Sequence, residues 1–240
     1  MAHRTVRLAS LVALLPLPAL ATSLQVSPVL LDVPAPGAAT TITLRNTDTE
    51  PLTAQIRVFR WQQSGGVERF EPTDEVVASP PMIDLRARQD YTVRVVRTAR
   101  RPVSGEEAYR LVIDELPKPQ RRPGTVSLVL RHVVPVFFAE RAARAPELAW
   151  SVGQQGGRLV LSATNRGDSR MRLSALQLRD EAGRVIGGGN GLFGYALGQG
   201  SMRWTLPARR AALKPGSRVS IRGMAENGAF HATAPVQAVR

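Results

Sequence analysis

The chain contains no cysteine and only three histidines. Without thiols there is no disulfide staple and no thiolate nucleophile, so an exported fold built on this sequence must rest on an apolar core. His3 lies in the leader, and His132 and His231 stand far apart with no metal-ligand spacing around them, which argues against a metal site. Acidic residues are scarce as well: 19 Asp and Glu stand against 32 Lys and Arg, for a formal net charge of +13. Asp114 and Glu115 are adjacent in a strand-like run, so their carboxylates point to opposite faces rather than at one substrate. No G-x-S-x-G elbow occurs, and the glycines of VIGGGNGLFGYALGQG are followed by neither Gly-Lys-Ser/Thr nor a helix start. The expectation is a protein that is not an enzyme and uses no cofactor.

Long apolar runs are absent after the first twenty residues. Leu8–Leu20 is too short to cross a bilayer and is broken by Pro16 and Pro18, while Ala19 and Ala21 form an A-x-A cleavage pattern behind Arg4 and Arg7. Residues 1–21 therefore read as a secretory signal, which leaves a mature chain of about 220 residues and room for two domains. The positive charge favours acidic protein partners or a carboxylate over nucleic acid once the chain is exported. A genomic bias towards arginine explains the charge equally well.

What is present is short strand-like runs between turn signals. In TTITLRN, Ile42 and Leu44 alternate with Thr41, Thr43 and Arg45; in YTVRVV, Tyr91, Val93 and Val95 alternate with Thr92 and Arg94. Seven such runs before residue 140 suit a β-sandwich. AERAARAPELAW breaks the pattern, and shorter, glycine-rich strands follow. The reading is all-β, with a signal at 1–21, a first domain at 22–140, a linker at 141–150 and a smaller β domain at 151–240. No helical pattern of 10 to 15 residues separates the strands, so a βαβ arrangement is not expected.

SPPMIDL, YTVRVV, AYRLVIDELP and VSLVLRHVVPVFF, in this order, together with GLFGYALGQGSMRWTLP later, resemble the periplasmic chaperones of the chaperone-usher pathway. The later segment resembles the archaic, spore-coat-U-like branch. The resemblance implies two immunoglobulin-like sandwiches in an L or boomerang, located in the periplasm, that bind, fold and cap pilus subunits by donor-strand complementation and deliver them to an outer-membrane usher. It also implies that the strand after the connector PKPQRRPG is lent to the subunit, a strand addition at an open edge. Val126, Leu128 and Leu130 fall on one face of that strand and are the expected donor set, with Val129 and Val133 expected to face this protein's own core.

In the better-known branch an Arg and a Lys anchor the subunit's C-terminal carboxylate, and Pro28 and Pro135 stand in those positions here. Arg110 is the expected replacement, with Arg131 second. Arg94 is expected to form a structural ion pair with Glu106 or Glu107. Self-association of the free protein stays open, and membrane insertion is not expected. Two other classes remain: a two-domain β structural or adhesive component of a surface fibre, and a basic exported binder of nucleic acid or anionic polymer.

Overall fold

In the computed structural model, residues 24–117, 129–208 and 213–238 are described. Among them there is no helix, and the strands divide into two sandwiches. The signal at 1–21 and the residues Val126 and Leu128 lie outside the described residues.

The first sandwich comprises β1 (Leu24–Ser27), β2 (Leu31–Pro34), β3 (Ala39–Asn46), β4 (Leu52–Ser64), β5 (Val67–Pro72), β6 (Val76–Ser79), β7 (Met82–Leu85), β8 (Asp90–Arg97), β9 (Glu106–Glu115) and β10 (Arg131–Ala139). One sheet runs β1-β3-β8-β6; the other runs β2-β10-β9-β4-β5, with β7 also on β4. Two strand-like stretches of sequence each change sheet part-way. SLQVSPVLLDV divides into β1 and β2 around exposed Pro28, and VVASPPMIDL into β6 and β7 around Pro80 and Pro81. A proline supplies no N–H to a ladder, so each break falls where pairing is handed over. The core follows the period-2 pattern: Ile42, Leu44, Val93, Val95, Leu111, Ile113, Val134, Val136 and Phe138 are buried between the sheets.

β4 and β5 form a hairpin that strand alternation did not signal. Ser64 pairs with Val67, which leaves Gly65 and Gly66 as a two-residue loop with φ of 63° and 85°. Positive φ at both loop positions matches the right-handed twist of the flanking strands and suits glycine. Along β4 the buried parity changes. Leu52, Ala54 and Ile56 face the sandwich core, whereas Trp61 and Gln63 lie on the opposite face and are buried there by the second domain.

The second sandwich comprises β11 (Leu148–Gln155), β12 (Arg158–Asn165), β13 (Met171–Arg179), β14 (Val185–Gly188), β15 (Leu192–Ala196), β16 (Ser201–Pro207), β17 (Arg218–Ala225) and β18 (Gly228–Pro235). Its sheets are β11-β12-β16 and β14-β13-β17-β18, with β15 also on β13. β11 begins inside the segment read as a linker, because Trp150 and Val152 point into this second core.

The two domains share a device. Asn46 at the end of β3 donates to the carbonyls of Glu50, Leu85 and Arg86 and accepts from Asp48 N; Asn165 at the end of β12 donates to those of Ser169 and Ala196 and accepts from Glu147 N and Gly167 N. Each buried amide satisfies backbone groups that a turning loop would otherwise leave unpaired.

Candidate functional site

β10 is paired along the whole of one side and only part of the other. β9 runs antiparallel to it from Arg131 to Ala139, but β2 covers only Val136–Ala139, so among the described residues Arg131–Pro135 has no neighbouring strand on that side. Glu115 N donates to Leu130 O at 2.9 Å, which turns the even-numbered backbone groups towards β9. Arg131 and Val133 therefore direct N–H and C=O to the open edge. Pro135 has the same orientation and no N–H, so it closes the open stretch without leaving a donor stranded.

The side chains of this strand alternate with the parity opposite to the one expected for Val129 and Val133. Val134, Val136 and Phe138 enter the core, whereas Val129 and Val133 are 48% and 46% exposed on the outer face. Leu130 shares the core-facing parity and is half-buried where the core ends, and His132 Nε2 meets Leu24 O at 3.0 Å. Both parities of SLVLRHVV carry apolar residues, so alternation alone does not choose the face.

The outer face of this sheet carries Arg110, directly opposite Pro135 on β10 and Phe59 on β4. Its guanidinium lies 3.6 Å from the centre of the Trp61 ring and 6.0 Å from that of Tyr195, which belongs to the second domain. The side chain is 15% exposed, and its nearest acid is Glu68 on β5, at 4.0 Å from Nη2. Arg110 Nε and Trp61 Nε1, stacked together, are the two buried side-chain polar atoms without a hydrogen-bond partner among the described residues. Burial pushes the Arg110 guanidinium below its ordinary value, with Glu68 and Tyr195 opposing. Two buried donors without an acceptor make a site electrostatically suited to a carboxylate.

Arg131 is placed differently. Its Nε is held by Asp114, which Arg57 also binds, on an exposed part of the same face. Burial raises the Asp114 carboxyl, but hydrogen bonds from Arg131 and Arg57 outweigh it and hold the group below its usual range. Pro28 is exposed between β1 and β2, and Pro135 is buried on β10.

The expected pairing of Arg94 is corrected. Arg94 is exposed on β8, since Val93 and Val95 take the inward face, and the residue that reaches Glu107 is Arg97. Arg97 binds the two Glu107 oxygens from Nε and Nη2 at 2.8 and 2.9 Å. Arg101 and the Tyr109 hydroxyl also donate to Glu107, and Arg60, Arg101 and Tyr109 converge on Glu75. Glu106 faces the other domain: Arg170 binds Glu106, Asp32 and Glu226 together and lies 3.8 Å from the centre of the Phe137 ring. Gln63 adds an amide clasp, donating to Tyr195 O at 2.8 Å and accepting from Leu197 N at 2.9 Å. With Trp61, Ala108, Phe137, Tyr195 and Leu197 buried together, the two sandwiches share an apolar seam beside Arg110.

Sequence reasoning did not single out Trp61, Gln63, Glu68, Arg97 or Arg170. For Arg97 a signal existed, because it has the inward parity of Val93 and Val95, and a charge on a buried face requires a partner. For the others the signal would have been which domain faces meet, which strand alternation does not encode.

Residues 23–141 match the family of pili and flagellar-assembly chaperones, PapD N-terminal domain. A comparison with curated proteins matched none. Among solved structures, the chain is similar to a chain of the CsuC–CsuE chaperone and tip-adhesion-subunit pre-assembly complex from archaic chaperone-usher Csu pili of Acinetobacter baumannii. The identity is 25%, with 91% of this chain and 100% of that chain covered and a TM-score of 0.68. Fold similarity extends to the Salmonella enterica SafA pilin–SafB chaperone complex (20% identity, 90% and 98% covered, TM-score 0.59). It extends also to the Pseudomonas aeruginosa CupB2 chaperone (16% identity, 88% and 100% covered, TM-score 0.55).

Proposed function

The chain belongs to the pilus-assembly chaperones, and from that premise we propose that it captures an incomplete pilus subunit on the open edge of β10 and passes it to an outer-membrane usher without catalysis. The observation that carries this reading is the edge itself: among the described residues Arg131–Pro135 is unpaired on one side, and in the sequence it follows the apolar run from Val126. A subunit strand laid along this edge extends the sheet, so the buried face of the guest lies on the same side as the core of the host. Residues of core-facing parity that overhang the core's end are then the ones that fill the guest. Leu130 is of this kind, and Leu128 and Val126 continue its parity as the donor set. Each such side chain, fully buried, contributes about 1.5–3 kcal/mol.

Arg110 is the anchor for the subunit's terminal carboxylate. It sits opposite Pro135, beside the domain seam, and its stack with Trp61 holds two donors with no acceptor among the described residues. Arg131 is the weaker alternative because Asp114 already binds it. Residues 1–21 serve as the export signal to the periplasm, the compartment of these chaperones.

Co-expression with a pilus subunit and recovery of the complex tests the reading. Leu128→Asp is expected to abolish recovery while circular dichroism of the free protein is unchanged, because a charge entering an apolar groove is left unsolvated. Undiminished recovery with Leu128→Asp refutes the donor assignment.

A further inference from the structure

Arg110 is not wholly without an acid, and the acid it has is badly placed. Glu68 stands 4.0 Å from Arg110 Nη2, at the outer limit of an ion pair, and its other polar neighbour, Gln63 Nε2, is 3.3 Å away. Neither contact has the 2.7–2.9 Å length of a charge-assisted hydrogen bond. Other arginines of this domain hold their acids closely: Arg97 meets Glu107 at 2.8 Å and Arg101 meets Glu75 at 2.7 Å. Glu68 also lies on an exposed edge strand, since every residue of β5 is exposed and β5 is an edge of its sheet, although its Gly66 turn is tied to the second domain by Arg203 N donating to Gly66 O at 3.2 Å.

We propose that Glu68 is a stand-in carboxylate that determines specificity. It partly compensates the desolvated Arg110 in the free protein and is displaced when a partner's terminal carboxylate binds there. This rests on the reading of Arg110 as the anchor. A free anion must compete with a tethered carboxylate already at the site, so a carboxylate alone binds poorly. A partner that also pairs with the β10 edge brings its C-terminus at high local concentration and wins. The site therefore selects a C-terminal carboxylate attached to a pairing strand over acidic solutes and side chains in general. Gln63 remains behind as a clasp between the domains, since its amide is held by Tyr195 O and Leu197 N whether or not Glu68 is near.

The test uses the mature chain, with N-acetylphenylalanine and its primary amide as probes, titrated while the Trp61 indole Nε1–H is followed by NMR. The wild type is expected to bind the carboxylate weakly and in preference to the amide. Glu68→Gln is expected to tighten carboxylate binding roughly tenfold and leave the amide unchanged. Arg110→Gln is expected to remove the preference, and adding Glu68→Gln to it to change nothing. If the wild type prefers the carboxylate and Arg110→Gln abolishes that preference, but Glu68→Gln has no effect, the stand-in role is overturned and the anchor stands. Equal tightening by Glu68→Gln with and without Arg110 reduces Glu68 to a general surface charge and overturns the proposal. A carboxylate preference that survives Arg110→Gln overturns the anchor, and absence of any preference in both the wild type and Glu68→Gln overturns the anchor and the stand-in together.

Discussion

Replacing Glu107 by Gln perturbs one charge in the most heavily bonded ionic network of the first sandwich. The Glu107 side chain is 4% exposed and that of Arg97 6%, so both charges are out of water and depend on each other. Burial raises the Glu107 carboxyl, but hydrogen bonds from Arg97, Arg101 and Tyr109 outweigh it and bring it down from 4.5 to about 2. At about 1.4 kcal/mol per tenfold, that difference corresponds to about 3 kcal/mol of native-state stabilisation. Glutamine keeps the shape and loses the charge, leaving Arg97 buried with carbonyl acceptors only. Breaking one side of a buried pair costs about 3–5 kcal/mol, in agreement with the titration argument. The assay is urea unfolding followed by Trp61 fluorescence in a Trp150→Phe, Trp204→Phe background, which leaves one indole, carried by the first sandwich and packed against Tyr195 of the second. With a denaturant slope of about 2–3 kcal/mol per molar, the midpoint is expected to fall by about 1–2 M at pH 7. The folded-state value is depressed, so the contribution is fully present above pH 4.5 and is lost as pH falls from about 4.5 to about 2. The gap between wild type and variant is therefore expected to narrow between pH 5 and pH 3. A gap under about 1 kcal/mol at pH 7, or one of constant size down to pH 3, refutes the reasoning.

Two further outcomes follow from the corrected contacts. Arg94→Ala, at an exposed position, is expected to shift stability by less than about 0.5 kcal/mol in the same unfolding assay, whereas a loss above 2 kcal/mol restores it to the ionic network. Gln63→Ala strips the Tyr195 carbonyl and the Leu197 amide of their partner and is expected to weaken the domain seam by about 1–3 kcal/mol. Scanning calorimetry checks this by a wider separation of the two domains' unfolding, and an unchanged thermogram contradicts it.

How far the sequence discloses this molecule depends on how many faces an element uses. β3 and β8 bury one face and expose the other, so Ile42, Leu44, Val93 and Val95 were legible from alternation alone. β4 uses both faces, one for its own core and one for the second domain, and nothing in LTAQIRVFRWQQS says that Trp61 and Gln63 meet Tyr195 and Leu197. β10 offers apolar residues at both parities, so the facing of Val129 and Val133 was fixed only by the register against β9. Arg97 lay within reach of the sequence argument, for a charge on the parity of Val93 and Val95 has to find an acid. Arg110 was singled out because it interrupts an apolar strand and because Pro28 and Pro135 stand where the resemblance puts the anchoring residues. Glu68 was not, because its importance comes from a hairpin whose turn, Gly65–Gly66, brings β5 back alongside β4.

The crossover at Pro28 has a consequence for how such a protein is tuned. β1 and β2 are one stretch of chain that seals the edge of one sheet with its first half and part of the edge of the other with its second. The position of the break, and hence the reach of β2, sets the aperture left beside β10. Sliding the crossover a few residues towards the N-terminus would carry β2 across Arg131–Pro135 and shutter the molecule; sliding it the other way would widen the opening into the core beneath Val136 and Phe138. Core packing asks only that Leu24, Leu31 and Val33 stay buried. The aperture is thus set by where one stretch of chain changes sheets, so a guest of different edge length would call for a moved break, at the expense of β1, rather than for a rebuilt domain.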